Sequence, residues 1–273
     1  MPVLTKVVYD DGVGVAGVLS VRFSLAAAVL LLLARARHEA LPRGTQLLAL
    51  FLLGAVGYVI ESLCYFAALT SISAGLTALL LYLYPALVVL LTAVVTQTRP
   101  STRASACVAV ATVGTVLTIG PVGGGQSTGV LLAFAAALSY SVYIVVSSRV
   151  VRGVGPFATS AVVMGGAAVV YDLGAVATQA SLPSHGSAWL ALVGVALIGT
   201  VVAVSTFFAA LARLGPADTA VISTIEPVVS VGVAALALGE RLSAVQALGG
   251  ALVLIAVGLL ARATPAPIPL DAP

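Results

Sequence analysis

Four ionisable side chains lie inside long apolar stretches of the sequence: Arg22, Glu61, Asp172 and Glu226. The stretches are about 20 residues long, which is the length that crosses the hydrocarbon core of a bilayer. A charge at the bilayer centre costs about 2.5–3.5 kcal/mol on insertion scales, so such residues usually face a water-filled cavity or a partner. Asp172 lies near the end of its stretch, and we expect water at the membrane interface to solvate it.

Glu226 belongs to a polar stripe on one face of a predicted helix. The stripe follows the spacing i, i+4, i+7 and i+11 of a single helical face. Its members are Thr219, Ser223, Glu226 and Ser230. Two interpretations stay open: the face lines water or substrate, or it forms a hydrogen-bonded seam with a neighbouring helix.

Glu61 shares a predicted helical face with two tyrosines, Tyr58 at i−3 and Tyr65 at i+4. A carboxylate beside aromatic rings suits cation binding or proton exchange. The alternative is a structural ion pair between Glu61 and Arg22. Further candidates, for which packing or interfacial roles are the alternative, are Tyr82, Tyr84, Tyr140 and Tyr143.

The composition places the chain in a membrane. Of 273 residues, 61% are hydrophobic and 8% are charged, and the mean hydropathy is +1.19. Soluble domains contain about 25% charged residues. A soluble enzyme, a nucleic-acid-binding protein and a disulfide scaffold are therefore disfavoured, and the net charge of +3 is attributed to orientation in the bilayer.

Nine continuously apolar blocks predict nine transmembrane helices rather than the alternating strands of a barrel. The predicted spans are Val13–Ala34, Gln46–Leu69, Leu76–Thr96, Ala104–Gly120, Gly129–Ser148, Pro156–Thr178, Ala188–Leu211, Thr219–Leu238 and Ser243–Ala261. Arginines follow the first block instead of preceding it, so it is a retained span rather than a signal peptide. Residues 263–273 are proline-rich and are predicted to be a disordered tail.

Basic residues fix the predicted orientation. Nine arginines fall on one face of the nine-span arrangement, and only Lys6 and Arg241 fall on the other. Because cytoplasmic loops carry the excess of basic residues, the C-terminus is predicted to be cytoplasmic and the N-terminus external.

The sequence repeats itself at a shift of 142 residues. Tyr65–Leu69 matches Phe207–Leu211, Pro85 matches Pro227, and Gly57 matches Gly199. The paired prolines remove backbone donors and predict helix interruptions in both repeats. Such paired interruptions mark the binding site of transporters built from inverted repeats.

The second repeat, residues 129–262, has five predicted spans, whereas the first, residues 1–120, has four. The simplest interpretation is a five-plus-five protein whose first helix is absent, for which we favour an error in the start site. An odd number of spans per unit makes the two repeats enter the membrane from opposite sides.

The stretch from Ile225-Glu226-Pro227 through Gly239-Glu240-Arg241 to Gly249-Gly250 resembles the C-terminal signature of EamA-type transporters of the drug/metabolite transporter superfamily. The paired aromatic segments and Arg22 are similar to the family pattern too. The resemblance implies ten helices with both termini cytoplasmic, a central cavity, and alternating-access movement of small metabolites or drugs, usually outward.

These observations together predict an all-α secondary transporter, most simply an exporter, in the cytoplasmic membrane. The expected partners are a small-molecule substrate and the lipid bilayer, without nucleic acid, cofactor or metal. The small-residue-rich fourth and ninth spans are expected to pack outside the cavity, where a homodimer contact could form. The alternatives are a partner-dependent membrane protein derived from a transporter and, with no catalytic group identified, a membrane-embedded enzyme.

Topology provides the first test. Tags inserted in the loops after Arg35 and after Arg213 are expected to be accessible from the same, cytoplasmic side, because both loops belong to the arginine-rich face. Protease protection in oriented vesicles measures this. Accessibility from opposite sides would contradict the inverted repeat.

Overall fold

The structure is a computed structural model that describes Val8 and residues 11–72, 74–97, 102–119, 127–229 and 243–261. Within these ranges every regular element is a helix, which confirms the predicted all-α membrane fold. Ser230 of the polar stripe, the rest of the eighth predicted span and the tail at residues 263–273 lie outside the described residues.

The helices follow the apolar blocks of the sequence. Their bounds are α1 Val15–Ala36, α2 Gly44–Leu52, α3 Val59–Leu69, α4 Ala74–Leu81, α5 Tyr84–Thr96, α6 Thr102–Ile119, α7 Ser127–Val150, α8 Pro156–Ala177, α9 Gly186–Ala196, α10 Ala203–Ser223 and α11 Ala244–Ala261. Two π-helical segments complete the set: π1, Leu53–Tyr58, joins α2 to α3, and π2, Leu197–Val202, joins α9 to α10.

In the described part of the chain, five continuous helical runs are long and apolar enough to cross a membrane. The longest, Gly186–Val229, covers two predicted spans, because Gly215, with a φ of 80°, and Pro216 kink α10 between them. Shorter apolar helices occupy the third, fourth and ninth predicted spans. Each predicted span therefore contains a helix, the eighth being described as far as Val229.

The chain forms two compact units. The first unit consists of Met1–Val59 and Ser147–Ala212, and the second of Ile60–Val146 and Arg213–Pro273. Each unit combines part of the predicted first repeat, residues 1–120, with part of the second, residues 129–262. The spatial division therefore cuts across the sequence repeats.

Glycines allow the helices of the first unit to pack at backbone distance. Helix α1 packs along α8, and α2 and π1 pack against α8 as well. A Cβ atom on Gly54 would overlap the carbonyl oxygen of Val163, and one on Gly166 would overlap that of Phe51. Small residues at such interfaces permit the close approach by which helices associate in lipid.

Two loops meet at one end of the first unit. A Glu39 carboxylate oxygen accepts a hydrogen bond of 2.7 Å from the Ala158 amide at the start of α8, which satisfies a free helix N-terminal donor. The Gln46 side chain donates to the carbonyls of Val150, at 2.8 Å, and Arg152, at 3.0 Å. The α1–α2 and α7–α8 loops, both containing arginines assigned to the cytoplasmic face, thus lie together, as the predicted orientation requires.

Asp11 ties the segment before α1 to the α8–α9 loop. It accepts hydrogen bonds from the Ser184 amide, at 2.7 Å, and the Ser184 hydroxyl, at 2.9 Å, and it contacts the His185 ring. The Asp11 side chain is 6% exposed, whereas that of His185 is 76% exposed. The hydrogen bond with His185 and those with Ser184 hold the pKa of the Asp11 carboxyl well below its usual value, against the opposing effect of partial desolvation.

In the second unit, α6 packs against α11. A Cβ atom on Gly114 would lie 2.8 Å from the Gly249 carbonyl oxygen, and one on Gly249 would lie 2.6 Å from the Gly114 carbonyl oxygen. The fourth and ninth predicted spans therefore contact each other through glycine. Their additional use in a homodimer stays a prediction.

Adjacent glycines on α8 allow a matched test of this packing. Gly166→Ala is expected to destabilise the protein by about 1–3 kcal/mol, because the added methyl group forces α2 away from α8. Gly165→Ala is the control, since a Cβ atom there meets no neighbour within 4 Å; it should leave stability unchanged or raise it by up to about 1 kcal/mol. Thermal unfolding in detergent measures both, and equal effects would contradict the packing.

The Asp11 contacts predict a pH dependence. Because the folded-state pKa is lowered, the stabilisation is fully present above the unfolded-state value of about 3.9 and is lost as the pH falls below it. Asp11→Asn should therefore lower the unfolding temperature at pH 7, and the difference from the wild type should shrink at pH 3. Asp271→Asn in the C-terminal segment is the control, and a pH-independent difference for Asp11→Asn would contradict the prediction.

Candidate functional site

The third predicted span is interrupted beside Pro85. Helix α4 ends at Leu81, and α5 begins at Tyr84 with the proline in its first turn. Pro is favoured there because its missing N–H would have no helical acceptor. The Leu83 carbonyl accepts from the amides of Ala86, at 3.1 Å, and Leu87, at 3.2 Å, and so restarts the helix.

The equivalent position of the second repeat is interrupted in the same way. Helix α10 ends at Ser223, Thr224 forms a turn, and residues 225–229, with Pro227, are helical again. Tyr82 in the first turn and Thr224 in the second are separated by the repeat shift of 142 residues. Both repeats therefore break two to three residues before the paired proline.

Tyrosines gather where the two interrupted segments meet in the second unit. The Tyr84 hydroxyl donates to the Ala220 carbonyl at 3.4 Å, which joins the two interrupted segments directly. The Tyr84 ring lies edge-on to Tyr140, with ring centroids 4.8 Å apart, and Tyr140 stacks with Tyr143 at 5.9 Å. Tyr82 lies 6.2 Å from Tyr84, measured between ring centroids.

Two carboxylates lie beside these tyrosines. Glu226 hydrogen-bonds Tyr82, and Ser223 hydrogen-bonds Tyr84. Tyr65 lies close enough to interact electrostatically with both Glu61 and Glu226. We call these residues the tyrosine–glutamate cluster: Glu61, Tyr65, Tyr82, Tyr84, Tyr140, Tyr143, Ser223 and Glu226.

The cluster is suited to a cationic or hydrogen-bonding ligand. Residues 60–97, 127–146 and 214–229 contain no lysine or arginine in their sequence. Tyrosine rings and carboxylates both attract cations, and tyrosine hydroxyls donate and accept hydrogen bonds. Among the described residues, no group of three or more His, Cys, Asp or Glu side chains is placed to hold a metal ion.

Arg22 and Tyr58, also predicted from the sequence, lie in the first unit. Arg22 donates through Nε to the Thr200 hydroxyl at 2.7 Å and through Nη2 to the Gly199 carbonyl at 3.4 Å. Tyr58 packs edge-on against Phe23, with ring centroids 5.4 Å apart. The alternative ion pair between Arg22 and Glu61 would join residues of different units and stays a prediction.

Three members of the Arg22 cluster were missed from the sequence. Phe23 is 1% exposed and stacks on Tyr171 at 5.3 Å, and Thr200 is fully buried. A signal for Thr200 was present, because the repeat shift places it opposite Tyr58 and places Gly199 opposite Gly57. For Phe23 and Tyr171, nothing in the pattern distinguished them from packing aromatics.

The interpretation of Asp172 is corrected by the structure. Its carboxylate accepts hydrogen bonds from two α1 hydroxyls, Ser20 at 2.5 Å and Ser24 at 2.8 Å. Solvation at the interface was the expected role, but two serines one helical turn apart provide donors across the helix pair. Asp172 therefore joins α8 to α1.

Comparison with known proteins agrees with this architecture. A family model described as the EamA-like transporter family matches residues 1–120 and 127–262. One solved crystal structure has a TM-score of 0.79 and 24% sequence identity, covering 95% of this chain and 93% of that chain, and it shows likeness of fold alone. Among curated proteins, none matched the chain.

Proposed function

Because the chain belongs to the EamA-like transporter family, we propose that it is a secondary transporter that moves small metabolites, amino-acid-like compounds or drugs by alternating access. The family is one of membrane transporters, and the several long apolar helices are those of a multi-pass membrane protein. The proposed location is the cytoplasmic membrane, with the C-terminus cytoplasmic and transport directed outward.

The observation that carries the proposal is the meeting of the two interrupted segments at Tyr84 and Ala220. Helix interruptions in membranes expose backbone groups that need partners, and they are tolerated where they line a cavity or are covered by protein. Here the interruptions occur at repeat-equivalent positions, which is the arrangement found at the binding sites of inverted-repeat transporters.

The tyrosine–glutamate cluster supports a role for protons or cations in this mechanism. Glu226 is bonded to Tyr82, and a protonated or positively charged substrate group can replace the hydroxyl as its partner. A carboxylate that binds a proton on one side of the membrane and a substrate on the other couples their movements in opposite directions. The sequence contains no P-loop, so the proposed driving force is an ion gradient.

Flux in proteoliposomes tests the proposal. With a proton gradient imposed, radiolabelled amino acids, sugars and a lipophilic cation such as tetraphenylphosphonium are added in turn, and pyranine fluorescence reports proton movement. Gradient-dependent flux of at least one compound is expected. No flux with any of them would contradict secondary transport.

Glu226→Gln is expected to reduce such flux by at least about tenfold, because the amide retains the shape but neither ionises nor exchanges a proton. Glu61→Gln should reduce it to a smaller or equal extent. Asp271→Asn, which removes a carboxylate from the C-terminal segment, should retain the wild-type flux. Unimpaired transport by both Gln variants would remove the cluster from the mechanism.

A further inference from the structure

The two π-helical segments occupy equivalent places in the two repeats. Segment π1 contains Gly57 and Tyr58, and π2 contains Gly199 and Thr200, which are pairs related by the shift of 142 residues. Single-turn π-helices are rare and are frequent at functional sites. Their occurrence at matched positions indicates a shared role.

Adjacent residues of α1 contact both segments. Arg22 donates to Thr200 and Gly199 of π2, and the next residue, Phe23, packs against Tyr58 of π1. The Arg22 guanidinium also lies over the Phe23 ring, 5.2 Å from its centroid. Helix α1 thus holds the equivalent positions 58 and 200 through neighbouring side chains.

A π-turn contains one more residue than an α-turn, and this weakens the regular hydrogen-bond ladder. Carbonyls released from the ladder need other donors, because lipid supplies none. Arg22 supplies a donor to the Gly199 carbonyl and another to the Thr200 hydroxyl. Loss of these bonds removes the stabilisation that favours π2 over a regular α-helix.

The surroundings of the two segments differ. At π1, Gly54 contacts the α8 backbone so closely that a Cβ atom would overlap Val163, which leaves no room for rearrangement. At π2, Ile198 is 68% exposed and Val202 is 55% exposed. Asp172 holds α1 against α8 through Ser20 and Ser24, so α1 and α8 form a fixed frame beside π2.

We propose that Arg22 is a positioning residue that holds π2 in its π-helical form, and that release of Thr200 and Gly199 by Arg22 allows π2 to convert to α-helix during transport while π1 stays fixed. The conversion removes one residue from the turn and rotates the chain that follows by about 100°. The inference rests on the proposed transport cycle for its role, but the contact itself can be tested without transport.

Spin-label distances provide the direct test. In a Cys64→Ser, Cys107→Ser background, labels at Val169→Cys on α8 and Val202→Cys on π2 report the moving segment, since both positions are exposed. Labels at Val169→Cys and Val56→Cys on π1 form the matched pair. Thr200→Val, which keeps the shape but removes the acceptor, should shift the first distance distribution and leave the second unchanged.

Two variants control for disturbance of the fold. Thr200→Ser keeps the hydroxyl and should restore the wild-type distribution. Thr206→Val removes a hydroxyl that bonds carbonyls of its own span, those of Val202 and Ala203, and it should change neither distance. A first distance that Thr200→Val leaves unchanged, or a shift of both pairs together, would overturn the proposal.

Transport kinetics separate this inference from the proposed function. In a transporting protein, Thr200→Val should lower the turnover rate by at least about fivefold while KM changes by less than about twofold, because substrate contacts are retained. A parallel loss of turnover and of thermal stability would indicate a merely structural contact and overturn the role in the cycle. A shifted π2 distance in a wild-type chain that moves no substrate would contradict the proposed function and the cycle role, while the Arg22 contact would stand.

Discussion

Every polar group inside this protein must find its partner within the chain, because the hydrocarbon core of a membrane offers no water. This requirement makes the described backbone helical, and it makes each departure from a regular helix informative. The departures are of two kinds: π-helical segments ending at Tyr58 and Val202, and interruptions beside Pro85 and Pro227. Each occurs in both repeats, so the second copy argues against chance.

The same requirement explains how charge is accommodated. In the first unit, Arg22 bonds a buried hydroxyl and a carbonyl of π2, and Asp172 bonds two serines of α1. Each charge therefore also fixes a helix contact. In the second unit, carboxylates lie beside tyrosines, in segments without basic residues in their sequence, an arrangement that leaves a role for an incoming cation or proton.

Close helix packing provides the rigidity that such a mechanism needs. Gly54 and Gly166 bring α2 and π1 against the backbone of α8, and Gly114 and Gly249 do the same for α6 and α11. Because a Cβ atom would not fit at these positions without movement of a neighbour, the contacts tolerate little sliding. Motion is then directed to segments packed less closely, of which exposed π2 is one.

Apolar block lengths, the 142-residue shift and the paired prolines were sufficient to predict the all-α fold, its spans and the interruption beside Pro85, since hydrophobicity and the lost proline N–H are local properties. The sequence also singled out Glu61, Glu226, Arg22 and their tyrosines as candidates. Tertiary structure alone decided that Arg22 contacts Thr200 and that Asp172 contacts Ser20 and Ser24, because a partner 148–178 residues away depends on which helix faces pack. It also decided the π-turns, because an extra residue in one turn leaves the apolar pattern of a lipid-facing helix unchanged.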